Sequence, residues 1–429
     1  MRSIVDLLRR DRAARRFFLA YGQSSLGTGA GYVALLLVAY QRFHSPWAIA
    51  LVLLADFMPP MFLSPLFGAL VDRRSRRLCA ITADVARATA FVGLALIPSF
   101  PVTVALAVVA GSATALSKPA LLAGLPEVVE RGRLSQATAL FGALTEVGYT
   151  VGPGIAALTF IVTGPKALLL ADAATFGLSA LILSTLSFGL SKEARAKALE
   201  DRGSLLREAR DGLASLARMP AARTTIVATS AILLFGGMVN VAELLLARKL
   251  GAGSTGYSLF VAVSGFGIAL GSLAGASGGE LPDLARRFLA GIVLVAAGLL
   301  GTAAAPTFLT ALLCLAVLGF GNGLVIVYER LIIQGTVSDD LLGRAFGAQA
   351  ALDGSAFAAS YVIAGLILAL VSPRVLFLIG GVGAMAVWLV ARVVFARIRL
   401  AAVRRAAEGA ASEAGSGEAT AIAALEAHR

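Results

Sequence analysis

Long apolar runs alternate along this chain with short breaks of charge, proline or glycine. A membrane-spanning helix needs about 20 largely apolar residues. Twelve runs meet that length: 17–41, 47–70, 78–99, 101–125, 137–162 and 165–189, then 224–247, 255–278, 286–305, 307–333, 344–370 and 373–396. Only the short break around Pro306 parts the ninth from the tenth. The pattern predicts an all-α membrane protein with twelve transmembrane helices. A polar stretch, 191–223, separates the sixth run from the seventh. Its mixed charges (Lys192, Glu193, Arg195, Glu200, Asp201) suit an amphipathic helix on the membrane surface. The chain therefore divides into an N-terminal segment 1–16, a six-helix half 17–190, a central loop 191–223, a second half 224–396 and a tail 397–429. The tail is rich in Ala, Gly and Glu and is expected to fray.

Composition supports this reading. Of 429 residues, 58% are hydrophobic and only 14% charged, whereas soluble domains carry about 25% charged residues. The net charge of +12 would suggest nucleic acid in a soluble protein. Here the basic residues cluster between apolar runs without aromatic interleaving, so topology explains them and no nucleic-acid partner is expected. One set of loops holds Arg2 to Arg16, Arg73 to Arg77, Arg131, Arg133, the segment Lys192 to Arg223, Arg286, Arg287 and Arg397 to Arg405. The other holds Arg42, Lys166, Arg248, Lys249 and Arg374. The positive-inside rule then places both termini in the cytoplasm, with a multi-pass chain in the cell's inner (plasma) membrane. The first run is longer than a signal-peptide core, so it is expected to be retained. Cys79 and Cys314 sit in apolar runs and the two histidines, His44 and His428, are far apart. No disulfide framework, metal site or cofactor is expected. The chain has no H-E-x-x-H, G-x-S-x-G or P-loop pattern, which argues against a membrane-embedded enzyme and against direct ATP drive.

The halves resemble one another. LPEVVERGRLSQATALFGA in the first aligns with IQGTVSDDLLGRAFGAQAA in the second, and LLLVAYQRFHSP with LLLARKLGAGS. Parallel six-helix repeats build one large transporter class.

The loop GALVDRRSRR, after the second run, resembles the cytoplasmic signature of the major facilitator superfamily between helices two and three. Gly68, Leu70, Asp72, Arg73, Arg76 and Arg77 fit it, while Ser75 replaces the second glycine. Serine takes positive φ less readily than glycine. The resemblance implies that Asp72 latches the outward-open state against the start of helix eleven, DDLLGRAFG, with Arg344 as partner. A purely topogenic arginine cluster is the alternative. The corresponding loop of the second half keeps only Glu280, Asp283, Arg286 and Arg287. In the fifth run, EVGYTVGPGIAA resembles the superfamily's antiporter signature. Gly148, Gly152 and Pro153 are in place, Gly154 is additional, and Ala156 and Ala157 replace the closing glycines. Small residues at this spacing let helix backbones approach closely, or serve ordinary helix packing. KPALLAGLPEVVERGRLSQATAL and GFGNGLVIVYERLIIQGTVSDDLLGRAFGA look like the macrolide-efflux-like branch of drug:proton antiporters. Across residues 15–396 the resemblance implies two six-helix pseudo-repeats and alternating access. The cavity walls would come from helices one, four, seven and ten.

Ionisable residues inside spans cost about 2.5–3.5 kcal/mol on insertion scales. Counted along their helices, Asp56, Glu146 and Asp353 fall near the midplane. Superfamily packing, in which helix two meets eleven and five meets eight, implies that these acids lie near the moving interface. A carboxyl there can exchange a proton as the cavity changes sides, attract a cationic substrate, or be a capped structural acid. Asp84 and Arg87 are spaced for an i,i+3 pair, with Lys118 at similar depth, and read as a structural ion cluster. Glu329, Arg330 and Glu243 lie near helix ends, where wetter surroundings are expected. Asp172 falls on helix six, which the family's packing places at the periphery. Gln23, Ser24, Ser25, Asn240 and Asn322 are candidates for the cavity wall or for interhelical hydrogen bonds. The expected function is a monomeric, proton-coupled exporter of a small, largely hydrophobic compound. The alternatives are an importer or a non-transporting membrane protein.

Overall fold

The computed structural model describes residues 7–9, 11–130, 133–189, 219–275 and 279–426. The start of the N-terminal segment, the central stretch 190–218, Arg131 and residues 427–429 lie outside the described residues. Helices follow one another without a strand among the described residues: α1 (Arg12–Phe43), α2 (Pro46–Arg73), α3 (Arg76–Leu96) and α4 (Phe100–Val128). The segment Leu134–Ser184 holds two more. Gly164 sits in it at φ 74 and ψ 171, a backbone open to glycine and strained for other residues, and Pro165 follows. The kink separates α5 (134–163) from α6 (165–184). The second set is α7 (Pro220–Lys249), α8 (Gly253–Ala274), α9 (Leu281–Ala304), α10 (Phe308–Thr336), α11 (Asp339–Leu368) and α12 (Pro373–Glu426).

These are the twelve helices the apolar runs anticipated, and local chemistry sets their ends. Asp11 caps α1 by accepting the N–H groups of Ala13 and Ala14 at 2.8 and 3.0 Å, so the helix begins ahead of its apolar run. Thr307 and Thr310 form a reciprocal capping box that opens α10 directly after the break at Pro306. The tail departs from expectation. Instead of fraying after the last span, α12 continues to Glu426, through an alanine-rich stretch of high helix propensity.

Nine helical stretches among the described residues are long and apolar enough to cross a bilayer. Large apolar side chains also cover the outside of the bundle, Phe62 being 61% and Leu370 87% exposed. Water would penalise that surface and lipid does not, so polar groups turn inward.

Each set of six packs alike. α1 lies on the Leu134–Ser184 segment as α7 lies on α11 and α12; α3 lies on α4 as α9 lies on α10; α2 packs on α4 as α8 packs on α10. The sets meet through α2 against α11, and through α8 against the α5–α6 segment. Glycines bring the backbones together. A Cβ on Gly148 would lie 2.6 Å from the Ser25 carbonyl oxygen, and one on Gly152 would lie 2.6 Å from that of Leu26. Gly267 and Gly271 of α8 interlock in the same way with Gly319 and Gly323 of α10. Gly154 is different: a Cβ there would meet only Ala262 of α8, at 3.9 Å across the junction between sets.

One end of the bundle, the terminal face, carries the start of α1 and the end of α12. At the opposite face arginines cap helix ends. Arg42 donates to the carbonyls of Leu94, Ala95 and Ile97 at 2.7–3.1 Å, closing α3. Arg374 donates to the Ala303 carbonyl at 3.0 Å, closing α9. Each supplies donors and positive charge to orphan carbonyls.

Gly152→Val is expected to destabilise the protein by ~1–3 kcal/mol or more through overpacking against α1. Gly154→Ala should be tolerated, because its Cβ enters ordinary contact distance. Thermal unfolding of the detergent-purified variants checks the contrast.

Candidate functional site

At the terminal face, the arginine-rich turn between α2 and α3 clamps the ends of neighbouring helices. Ser75, where the signature has glycine, adopts φ −62 and caps α3 by accepting the Leu78 N–H at 3.4 Å. No left-handed backbone is needed there, so serine fits the turn. Arg76 donates to Glu127 Oε1 at 2.7 Å and to the Ala123 carbonyl at 2.9 Å, both on α4. The other oxygen of Glu127 accepts the Gly189 N–H at 2.5 Å. Arg77 donates to the Ser184 carbonyl at the end of α6. Gly68, Asp72, Arg73 and Arg344, the rest of the expected latch, have side chains outside the described residues.

Deeper in the first set, Arg87 of α3 organises a buried polar cluster. Its Nη2 donates to Asp84 Oδ1, one turn earlier, and to Ser117 Oγ of α4 at 3.0 Å. The guanidinium lies 4.1 Å from the ring centre of Phe176 on α6. Asp84 is fully buried and Arg87 is 6% exposed. Among the described residues, Arg87 Nε and Asp84 Oδ2 have no hydrogen-bond partner. Asp56 and Asp172 lie within electrostatic range of the same guanidinium.

Asp172 departs from its expected peripheral setting: it is 2% exposed. α6 turns this face onto α1, where Gly27 and Gly31 leave the space that the carboxyl occupies. Thr175 donates to its Oδ1 at 3.2 Å, while Oδ2 has no hydrogen-bond partner among the described residues. Gln23 of α1 donates to the Thr175 carbonyl at 2.8 Å, so it tethers α1 to α6.

Next to this cluster a cavity opens among α1, α3, α4 and α5. Tyr21, Ser24, Ser25, Thr28, Arg87, Thr114, Ser117, Lys118 and Thr145 line it. Tyr21 is hydrogen-bonded to Thr145 at 2.6 Å and stacks on Phe141 with ring centres 4.0 Å apart. Hydroxyls and two cations dominate the wall.

In the second set, Asp353 of α11 accepts a 2.6 Å hydrogen bond from Ser230 of α7. Glu329 of α10 lies near Asp353 and Thr229. Glu329 and Glu243 correct the expectation of wet helix ends, being 4% and 8% exposed. Helix–helix packing encloses them even though they stand near the ends of their own helices. Glu243 lies within electrostatic range of Tyr32, Tyr257 and Tyr361, and Asn240 lies beside Tyr361. Asn322 is half-buried on α10.

The same region joins the two sets. Phe57 of α2 stacks on Phe357 of α11 at 6.1 Å, with Tyr32 and Tyr361 each 5.9 Å from Phe57. Nearer the opposite face, Arg248 of α7 lies 4.8 Å from the Tyr40 ring of α1, and Trp47 packs where a Cβ on Gly365 would fall.

Asp56 and Asp353 therefore belong to separate clusters, one around Arg87 and one with Ser230 and Glu329. Glu146 is on α5, with its side chain outside the described residues. Sequence reading missed the burial of Glu243 and Glu329 and left Asp172 unplaced. For Asp172 the available signal was the pair Gly27 and Gly31, spaced to open one face of α1.

Among the described residues, twelve helices in two matching sets of six, with polar clusters held between helices, define a multi-pass membrane protein. The sequence model of the Major Facilitator Superfamily matches residues 17–288, and the chain belongs to that superfamily. It is 26% identical over 339 residues to an uncharacterized MFS-type transporter, YfiS, of Bacillus subtilis (strain 168), covering 76% of this chain and 79% of that one. Over 145 residues it is 28% identical to Macrolide efflux protein A of Streptococcus pyogenes, covering 33% and 36% of the two chains. Among solved structures, the nucleoside transporter NupG matches with a TM-score of 0.66 at 13% identity, over 89% of this chain and 99% of its own. The human organic anion transporter MFSD10 (TETRAN) matches with a TM-score of 0.60 at 18% identity, over 89% and 99%. The chain is a transport protein, not an enzyme.

Arg87→Gln is expected to destabilise the bundle by ~3–5 kcal/mol, because it leaves Asp84 charged and unpaired in the interior. Adding Asp84→Asn should recover part of the loss. A double-mutant cycle on thermal unfolding checks the coupling.

Proposed function

We propose that the protein is a proton-coupled antiporter that exports a small, largely hydrophobic compound such as a drug or secondary metabolite. It works as a monomer in the inner (plasma) membrane, with both termini in the cytoplasm. The halves 17–190 and 224–396 rock about the substrate, joined through the loop 191–223. The observation that carries this reading is the set of carboxyls inside the bundle: Asp56, Asp172, Glu329 and Asp353. Each adds cost to membrane insertion, and such groups are kept where they move protons or ions. Two of them, Asp172 and Glu329, each have an oxygen without a hydrogen-bond partner among the described residues. The likeness to Macrolide efflux protein A supports export.

Alternating access requires the contact of Phe57 with Phe357 and Tyr361 to part, since it holds the sets together towards the opposite face. Asp72 and Arg344 then serve the other end of the cycle as a latch. Gly148, Gly152 and Pro153 give α5 a tight, bent surface on which to rock, and Gly154 turns to α8.

Efflux of a lipophilic dye from drug-sensitive cells tests coupling. Extrusion by the wild type should stop with a protonophore. It should also stop in at least one of Asp56→Asn, Glu146→Gln and Asp353→Asn at equal membrane abundance. Extrusion that survives the protonophore in all forms would overturn proton coupling.

Access is tested separately with Phe57→Cys and Phe357→Cys in a Cys79→Ser, Cys314→Ser background. A bifunctional thiol cross-linker should abolish transport by the double variant and leave either single variant active. Unchanged flux in the cross-linked protein would sink the gating role of this contact.

A further inference from the structure

The last span, α12, turns one apolar face outward along its length. By helical periodicity Leu378, Val382, Leu389 and Val393 fall within about 60° of one another, and they are 44–56% exposed. Arg392 and Arg399, two turns apart, share a line on one flank of this stripe, and Arg397 stands on the other flank. All three arginines are exposed. Arg392 lies within the span Pro373–Ala401. Its guanidinium is 5.2 Å from the ring centre of Trp388, one turn deeper. Helix geometry gives that direction, because long side chains lean towards the N-terminus of their helix.

These cations have no carboxylate beside them. The sequence has no Asp or Glu between Pro373 and Ala407, and among the described residues none of the three arginines forms an ion pair. Phe288 of α9 meets Phe395 edge-to-face with ring centres 6.4 Å apart, which sets the start of α9 alongside. Of the acids there, Asp283 is with Arg286 at 3.5 Å, and Glu280 precedes the helix. A guanidinium does not give up its charge. On a lipid-facing surface that charge is costly unless it reaches an anionic group. The dimensions fit a lipid: the helix rises about 15 Å from Val382 to Arg392, half of a hydrocarbon core of ~30 Å.

We infer that this flank of α12 binds an anionic phospholipid from the leaflet at the terminal face. The phosphate accepts from Arg392 and Arg399, and an acyl chain lies along Leu389, Val382 and Leu378. Hydrogen bonds between guanidinium and phosphate carry charge on both partners and pair in parallel, which makes them strong. Stacking on Trp388 holds the Arg392 fork in place, so less freedom is lost on binding. A phosphatidylcholine offers the same phosphate but brings a choline cation against the arginines. The site needs only a chain that crosses the bilayer, and it is independent of the direction and coupling of transport.

Trp388 reports on the site directly, because the chain has one other tryptophan, Trp47. Full-length Trp47→Phe protein is reconstituted in phosphatidylcholine with a minor fraction of brominated phosphatidylglycerol or brominated phosphatidylcholine of the same chains. Bromine quenches tryptophan on contact. Quenching is read against the unbrominated lipid, so changes in the brightness of Trp388 itself drop out. Phosphatidylglycerol should bind beside Trp388 at least about fivefold more tightly than phosphatidylcholine. Arg392→Gln combined with Arg399→Gln should bring that preference towards unity, and Arg392→Lys should keep part of it. Arg15→Gln combined with Arg16→Gln removes exposed arginines from the same face at the start of α1, and should leave the preference unchanged.

Equal quenching by the two lipids, or an undiminished preference without Arg392 and Arg399, would overturn the proposal. An equal loss in the Arg15 and Arg16 variant would overturn it too, by showing diffuse attraction to the basic face instead of a site.

Discussion

Close approach of helix backbones at glycine is the constraint on which the rest of this structure depends. Lipid offers no hydrophobic drive for one apolar helix to leave it for another, so helices associate through packing and hydrogen bonds. Gly148 and Gly152 let α5 lie against the backbone of α1 at Ser25 and Leu26. Gly267 and Gly271 do the same for α8 on α10. With those pairs seated, each set of six becomes a compact unit. The units meet through α8 against the α5–α6 segment and through α2 against α11, where Phe57 stacks on Phe357.

The same closeness makes room for buried charge. Missing side chains at Gly27 and Gly31 admit the Asp172 carboxyl, and α4 approaches α3 closely enough for Ser117 to reach Arg87. Buried ions of this kind gain little stability over an apolar replacement. Their presence in the bundle is a functional statement more than a structural one. The first set has its cluster around a guanidinium and a hydroxyl-lined cavity. The second has carboxyls, Asp353 and Glu329, beside Ser230 and Thr229. Matching folds thus carry unlike chemistry.

At the faces of the membrane, arginine does most of the fastening. Arg76 and Arg77 tie the α2–α3 turn to the ends of α4 and α6, and Arg42 and Arg374 close α3 and α9. A planar guanidinium with several donors satisfies carbonyls that a helix end leaves open. The arginines that read as topology signals in the sequence are also structural caps.

The sequence by itself determined the twelve helices, their approximate ends and the superfamily, because a bilayer imposes length and apolarity on every span and charge on the loops between. It also made the Asp84–Arg87 pair legible, since one helical turn brings residues three apart together. Tertiary structure alone decided what each buried acid faces. Glu243 and Glu329 were misjudged and Asp172 could not be placed, because depth along a helix says nothing about which side of it is covered. Gln23, a candidate for the cavity wall, turned to α6, while Ser24 and Ser25 of the same turn line the cavity with residues from three other helices. That assembly depends on helix rotation, which glycine contacts far along the chain set and no local pattern encodes.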